Sequence, residues 1–200
     1  MRGAFPVSLM SIRKAGLAVV TVLVATVATG CSLAAPKYNA KFENVQTLRD
    51  AELGNAKVGD FVPDPAAKQD VNRLTIRGSS YVSPYNGSFV AYLQEAIRQE
   101  LYDARLLEPN AAIEISGLLM RNELDGSGIN VGIAEIEARF VVRRDGQVRF
   151  DKVKSARHEW ESAFAGATAI PRAQQQYPTV VEKLLTTLYS DPDFLSALKR

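Results

Sequence analysis

The chain has 200 residues, with 24 Lys and Arg against 22 Asp and Glu, a single histidine and a single cysteine. Arg2, Arg13 and Lys14 stand ahead of Cys31 with no acidic residue among them, so the formal charge of +2 belongs to the first segment and the remainder balances 21 basic residues against 22 acidic ones. The remainder therefore lacks the basic footprint of a nucleic-acid binder, is long enough to bury one core without disulfides, and has too few His and Cys for the usual zinc sets.

The first segment has the order of a secretory leader: basic residues, an apolar run from Ala15 to Thr29, then small residues. The run is short of the roughly 20 apolar residues that span a bilayer. It ends in Val27-Ala28-Thr29-Gly30-Cys31, which resembles the lipobox of bacterial lipoproteins, departing from it in having Ala28 where Leu is favoured. An unpaired thiol in an oxidising compartment has no disulfide role, whereas lipidation requires one here. Residues 1–30 are expected to be a cleaved signal peptide, and Cys31 the site of diacylglycerol attachment and further acylation such as palmitate. One chain anchors only marginally and two or three anchor stably. Ser32, rather than Asp, after the lipidated residue implies sorting to the outer membrane. A start at Met10 would give a more compact leader and leave the first nine residues untranslated.

Residues 31–41, with Pro36, are expected to form a lipid-anchored tether, and residues 42–200 a single periplasmic domain. Phe42 to Asp70 carries weak signals, with a short strand around Lys57 to Val62 ended by Pro63 and Pro65. Leu74 to Arg77 is a second short strand, followed by the turn-rich Ser83-Pro84-Tyr85-Asn86-Gly87. Ser88 caps a helix in which Phe89, Leu93, Ala96, Ile97, Leu101 and Ala104 recur every three or four residues to about Arg105. After Pro109-Asn110, the stretch Ile113 to Met120 is apolar on both faces and reads as a central strand. Past a turn at Asp125-Gly126-Ser127-Gly128, Ala134 to Val142 alternates cleanly with charged residues, so one face is buried and one wet.

The next connection sets a register. A two-residue Asp145-Gly146 loop would oppose Phe140 to Asp151 and Val142 to Arg149. A three-residue loop, Arg144 to Gly146, pairs Val142 with Val148, Phe140 with Phe150 and Arg139 with Asp151, and is the register expected. It leaves Lys152 and Lys154 on the apolar side, where the cover should end or a bulge intervene. This strand runs past His158 and Trp160 to about Phe164. Pro171 and Pro178 bracket a loop. A helix carrying Val181, Leu184, Leu185 and Leu188 follows, and Asp191-Pro192-Asp193 restarts helix. The expected fold is α+β: two helices on one antiparallel sheet, in the order strands, helix, three-strand meander, helix.

Chemistry-bearing constellations are sparse, so no catalytic residue, cofactor or metal ligand is expected. Glu135 and Glu137 lie about 7 Å apart on one strand face, within the range of an inverting glycosidase pair, but any solvated strand face offers such a pair. His158, two residues from Trp160 on the same face, reads as packing. Gly126-Ser127-Gly128 lacks the strand-to-helix setting of a phosphate loop or nucleophile elbow. Tyr81, Tyr85 and Tyr92 gather at the start of the long helix, as half-buried core or as the rim of an interaction surface.

The helix Phe89-Val90-Ala91-Tyr92-Leu93-Gln94-Glu95-Ala96-Ile97, the turn from Ala104-Arg105 to Asn110, the strand Ile113-Glu114-Ile115-Ser116-Gly117-Leu118-Leu119 and the closing Leu184-Leu185, Asp191 and Phe194 pattern resemble the YajG family of small Gram-negative outer-membrane lipoproteins. Residues 31–87 depart from it. The plan is similar, more distantly, to lipoproteins that assist lipopolysaccharide insertion and to auxiliary lipoproteins of lipid-transport ABC systems. The resemblance implies an outer-membrane lipoprotein facing the periplasm. The function expected is a non-catalytic envelope binding, assembly or transport accessory. Its partners would be the membrane, through the anchor, and an envelope protein, with no nucleic acid and the oligomeric state open. The alternative is a carrier or sensor of a small apolar or lipid ligand held beneath Phe89 and Leu93. A cell-wall glycan hydrolase resting on Glu135 and Glu137 comes third.

Overall fold

The computed structural model describes residues 32–199. Cys31 and the leader lie outside the described residues. Within them the order is β1 (Ser32–Ala34), α1 (Phe42–Asp50), β2 (Ala56–Pro63), β3 (Leu74–Ile76), β4 (Ser79–Val82), α2 (Phe89–Asp103), β5 (Ile113–Asp125), β6 (Val131–Arg144), β7 (Gln147–Glu161), α3 (Gly166–Gln174), α4 (Tyr177–Tyr189) and α5 (Pro192–Leu198). The fold is mixed α+β. The expectation of two helices on one sheet is corrected to five helices and two sheets, ordered β1-β4-β3 and β2-β5-β6-β7.

The long meander β5-β6-β7 forms as its alternation dictates. On β6, Ala134, Ile136, Ala138, Phe140 and Val142 are buried, while Glu135, Glu137 and Arg139 point to the wet face. β5 is central, between β2 and β6, with β2 running parallel to it. Phe61 of β2 lays its ring over Gly117 of β5 and meets Phe140 edge-on at 6.1 Å between centroids. A side chain at residue 117 would collide with that ring and with the Arg139 carbonyl, which is why glycine interrupts an otherwise apolar strand.

The helix α2 starts where the sequence places it: Ser88 Oγ accepts from the Ala91 amide at 3.1 Å. Its stripe of Phe89, Leu93, Ala96, Ile97 and Leu101 is buried, facing β2, and α4 covers β6 and β7 with Val181, Leu184, Leu185 and Leu188. Pro178 occupies the first turn of α4, where its missing N–H costs nothing, so it opens a helix rather than bracketing a loop. α3 also occupies part of that presumed loop; Pro171 lies inside it, and Ala169 and Ala173 hold it to the core.

The register differs from both clean alternatives. The turn is the two-residue Asp145-Gly146, with φ of 51° and 78°, and Arg144 pairs with Gln147. One residue later a bulge at Arg149 shifts the ladder, so Val142 faces Phe150 and Phe140 faces Lys152. The left-handed turn matches strand twist, and the bulge restores apolar pairing where the core begins. Arg139 still binds Asp151 through two hydrogen bonds of 2.6 and 2.5 Å, reached diagonally. Lys152 and Lys154, awkward on an apolar face, bind Asp191 at 3.0 and 2.6 Å, and Lys152 also binds Asp193 at 2.7 Å.

Candidate functional site

The segment after Cys31 is not a free tether. β1 pairs parallel to β4, placing Ser32 beside Ser80 and Leu33 beside Tyr81. The Ala35 amide donates to the Val82 carbonyl at 2.8 Å, and Gln174 Nε2 to the Ala34 carbonyl at 2.8 Å. Ala35 and Tyr38 are buried in the core. Residues 32–41 are thus a strap laid across the domain, held because their backbone groups find partners and Tyr38 fills the aromatic core.

The three tyrosines that could be half-buried core or the rim of an interaction surface gather around that strap from inside. Tyr81 is 1% exposed and Tyr92 fully buried, with only Tyr85 partly open, so Tyr81 and Tyr92 lie in the core and form no rim. Tyr92 Oη donates to the Pro36 carbonyl at 2.9 Å, the Tyr38 amide donates to Tyr85 Oη at 3.3 Å, and Tyr81 Oη donates to the Gln174 carbonyl at 2.7 Å. Rings of Phe89, Tyr92 and Tyr177 pack at 4.6 to 6.4 Å. Burial pushes the hydroxyls of Tyr81, Tyr92 and Tyr177 above the usual phenol range.

Beneath the strap sits Glu100, fully buried on the apolar face of α2. Its carboxylate accepts from Tyr38 Oη at 2.5 Å, the Lys41 amide at 3.2 Å and Asn44 Nδ2 at 3.1 Å. Asn44 in turn accepts from Thr186 Oγ1 at 2.8 Å, so one polar knot joins strap, α1, α2 and α4. The Tyr189 hydroxyl is buried beside it, and burial next to the Glu100 carboxyl raises its pKa well above the usual phenol range. Desolvation pushes the Glu100 carboxyl up, against the lowering effect of its donors. Glu100 belongs to no motif, yet a carboxylate at a position continuing the Leu93, Ala96, Ile97 stripe is itself a signal in the sequence.

Glu135 and Glu137 share the wet face of β6 as expected. Glu135 lies between two guanidiniums, with Oε2 2.6 Å from Arg121 Nη2 and Oε1 bonded to Arg157 Nη1. Arg121 also binds Glu123 at 2.7 Å and Arg157 binds Glu159 at 2.8 Å, making a cross-strand charge ladder. Both oxygens of Glu135 are thus engaged by protein. A neighbouring cavity of about 630 Å³ is lined by Asp64, Lys68, Val71, Arg121, Asn122 and Glu137. No such space opens beneath Phe89 and Leu93 among the described residues, because both are fully buried in the ring cluster. His158 takes a packing position: Lys183 donates to Nδ1 at 3.0 Å, Nε2 meets Gln176 Oε1 at 2.9 Å, and the ring lies 5.9 Å from that of Trp160.

The end of the meander nearest the strap's entry is tied by Arg77. This residue and Gly78 form the β3–β4 turn with φ of 48° and 84°. The guanidinium donates to the carbonyls of Gly126, Gly128, Ala163 and Phe164 at 2.6 to 3.3 Å. Gly126 to Gly128 is accordingly a structural loop, closed further by the Asp125 carboxylate accepting from the Ser127 amide and hydroxyl.

No family model matches the chain, and no curated protein matches it. Solved structures resemble it in shape. A protein of the DUF330 family from Xanthomonas campestris is 13% identical, over 80% of this chain and 92% of that one, with a TM-score of 0.50. A candidate lipoprotein from Caulobacter crescentus is 11% identical over 77% and 93% of the two chains, with a TM-score of 0.43. A minor lipoprotein from Acinetobacter baumannii is 14% identical over 70% and 92%, with a TM-score of 0.39. At 13% identity the first likeness is one of fold. Among the described residues no helix is long and apolar enough to cross a membrane.

Proposed function

We propose that the chain is a YajG-like lipoprotein, acylated at Cys31, held on the periplasmic face of the outer membrane, and acting there by binding as an accessory to an envelope assembly or transport protein. The observation that carries this reading is the leader ending in Gly30-Cys31, with the sole cysteine of the chain at the processing position. Ser32 in the next position supports outer-membrane sorting. Binding rather than catalysis is supported by the charge ladder that occupies Glu135, and the packed ring cluster around Phe89 and Leu93 disfavours a carrier that encloses an apolar ligand.

The test is in-cell cross-linking of the tagged full-length protein, with Cys31→Ala as the unanchored control and the intact mass of the mature chain measured alongside. A mass carrying acyl chains, with one envelope protein captured from the outer membrane and lost in the control, is the expected result. An unacylated mature chain defeats the anchor. Capture of lipid or glycan with no protein defeats the accessory role.

A further inference from the structure

Eight large apolar side chains are exposed among the described residues, and three of them share one end of the molecule: Ile129 at 59%, Val131 at 46% and Phe164 at 80%. Scattered apolar residues need no explanation, but a cluster does. Ile129 and Val131 lie on and just beyond the β5–β6 loop, and Phe164 on the segment after β7. The two pieces are stitched together by the Ser162 amide donating to the Asn130 carbonyl at 2.8 Å and by Arg77, which binds carbonyls on both. The cluster therefore projects from a braced platform.

The chain enters the fold at this same end. β3 runs toward it, since Val71 receives a hydrogen bond from Asn122 while Ile76 lies against Gly126, just past the end of β5. β4 returns from the Arg77 turn, and β1 runs parallel to β4, so Ser32 is the residue of β1 nearest that turn. Cys31 precedes Ser32 by one peptide bond. With β1 already in the sheet at Ser32, no spacer separates an acyl group on Cys31 from the domain. The opposite end, carrying the Asp145-Gly146 turn and Val148, lies the length of β5 away, about 40 Å for its 13 residues at roughly 3.3 Å each.

We infer that the loops bearing Ile129, Val131 and Phe164 form a bilayer-contacting face, inserted at the boundary of headgroups and acyl chains beside the Cys31 lipid, so that the meander stands end-on to the membrane. This rests on the lipid-anchor reading. Acyl chains leaving from the start of β1 hold this end against the bilayer at all times, and aromatic and aliphatic side chains at that depth move from water into apolar surroundings. The exposed charges nearby, Asp125, Glu161 and Arg172, are of mixed sign, so the contact is apolar and independent of anionic lipid.

Cys31 is the chain's one cysteine, so once it is acylated an introduced thiol is unique. The lipidated Phe164→Cys and Val148→Cys proteins, labelled with the environment-sensitive dye NBD, are reconstituted in phosphatidylethanolamine–phosphatidylglycerol vesicles with and without brominated acyl chains. The dye at position 164 is expected to shift to the blue and rise about twofold in emission, to be quenched by brominated lipid and to be insensitive to phosphatidylglycerol content, while the dye at 148 does none of these. Quenching at neither position overturns the contact and leaves the anchor standing. Quenching at both overturns the end-on orientation. A blue shift at 164 that brominated lipid does not quench assigns the face to protein instead, and overturns the inference. A mature chain whose mass shows no acylation removes anchor and inference together.

Discussion

Glu100 and Glu135 are the same side chain in opposite settings. Glu100 lies in the interior, answered by neutral donors from Tyr38, Asn44 and the Lys41 amide; Glu135 lies on the wet face of the meander between Arg121 and Arg157. The interior carboxylate joins four parts of the chain, and its burial raises the cost of every partner lost. The outer one belongs to a ladder bathed in solvent, where water and salt replace a lost partner. Structural weight therefore sits on the strap and core side of the sheet rather than on the outer face.

The largest expected effect breaks the inner side outright. Phe140→Ala empties the space against Phe61 under the sheet and should cost about 3–5 kcal/mol, read as a lower urea midpoint. Next, Glu100→Ala leaves Tyr38, Asn44 and the Lys41 amide facing a void, at about 3 kcal/mol, with the strap opening first in amide hydrogen exchange.

Glu100→Gln sharpens the same point through pH. Burial raises the folded-state pKa above the ordinary value of 4.5, so the carboxyl's contribution is full below that value and is lost as pH climbs through the raised one. Unfolding midpoints measured from about pH 4 to about pH 8 should fall less with rising pH for Glu100→Gln than for the natural protein. A parallel slope would show that Glu100 is ionised throughout.

Asp191→Ala should cost less, about 1 kcal/mol, through loss of the cap on the Asp193 amide. The sign of its pH dependence is the reverse of Glu100. Lys154, with Lys152, holds the Asp191 carboxyl far below the usual carboxylate range, so its stabilisation is present above that range and is lost on acidification. Smallest of all, Glu135→Gln should move the thermal midpoint only slightly, and not at all in about 1 M salt, where exposed charges are screened within roughly 3 Å. A large effect there would mean that the outer ladder, rather than the knot at Glu100, organises the sheet.

Much of the fold is legible along the chain because it is written in local period. The Ser88 cap and the stripe of α2, the alternation of β6, the central character of β5 and the Asp191-Pro192-Asp193 start of α5 each need only neighbours within a turn or two. The strap is not legible in the same way. β1 is three residues long and α1 buries only Asn44, Val45 and Leu48, so neither carries a periodic signal, and both exist because β4, Tyr92 and Glu100 are waiting for them. The register of β6 and β7 fails for a related reason. Asp145-Gly146 demands a two-residue turn locally, the core demands Phe150 opposite Val142, and only a bulge satisfies both.

By itself the sequence determined the position of the sole cysteine, the charge balance beyond it, and the elements whose apolar spacing is strong enough to declare a face. Tertiary structure alone decided that residues 32–41 are a strap, that Tyr81 and Tyr92 are core, that Glu135 is occupied by arginines, and that Ile129, Val131 and Phe164 meet at the end where the chain enters. The physical reason is one of range. Periodicity reports which side of an element is dry, whereas partners far apart in sequence, chosen by burial and by the need to satisfy each buried polar group, report what that side is dry against.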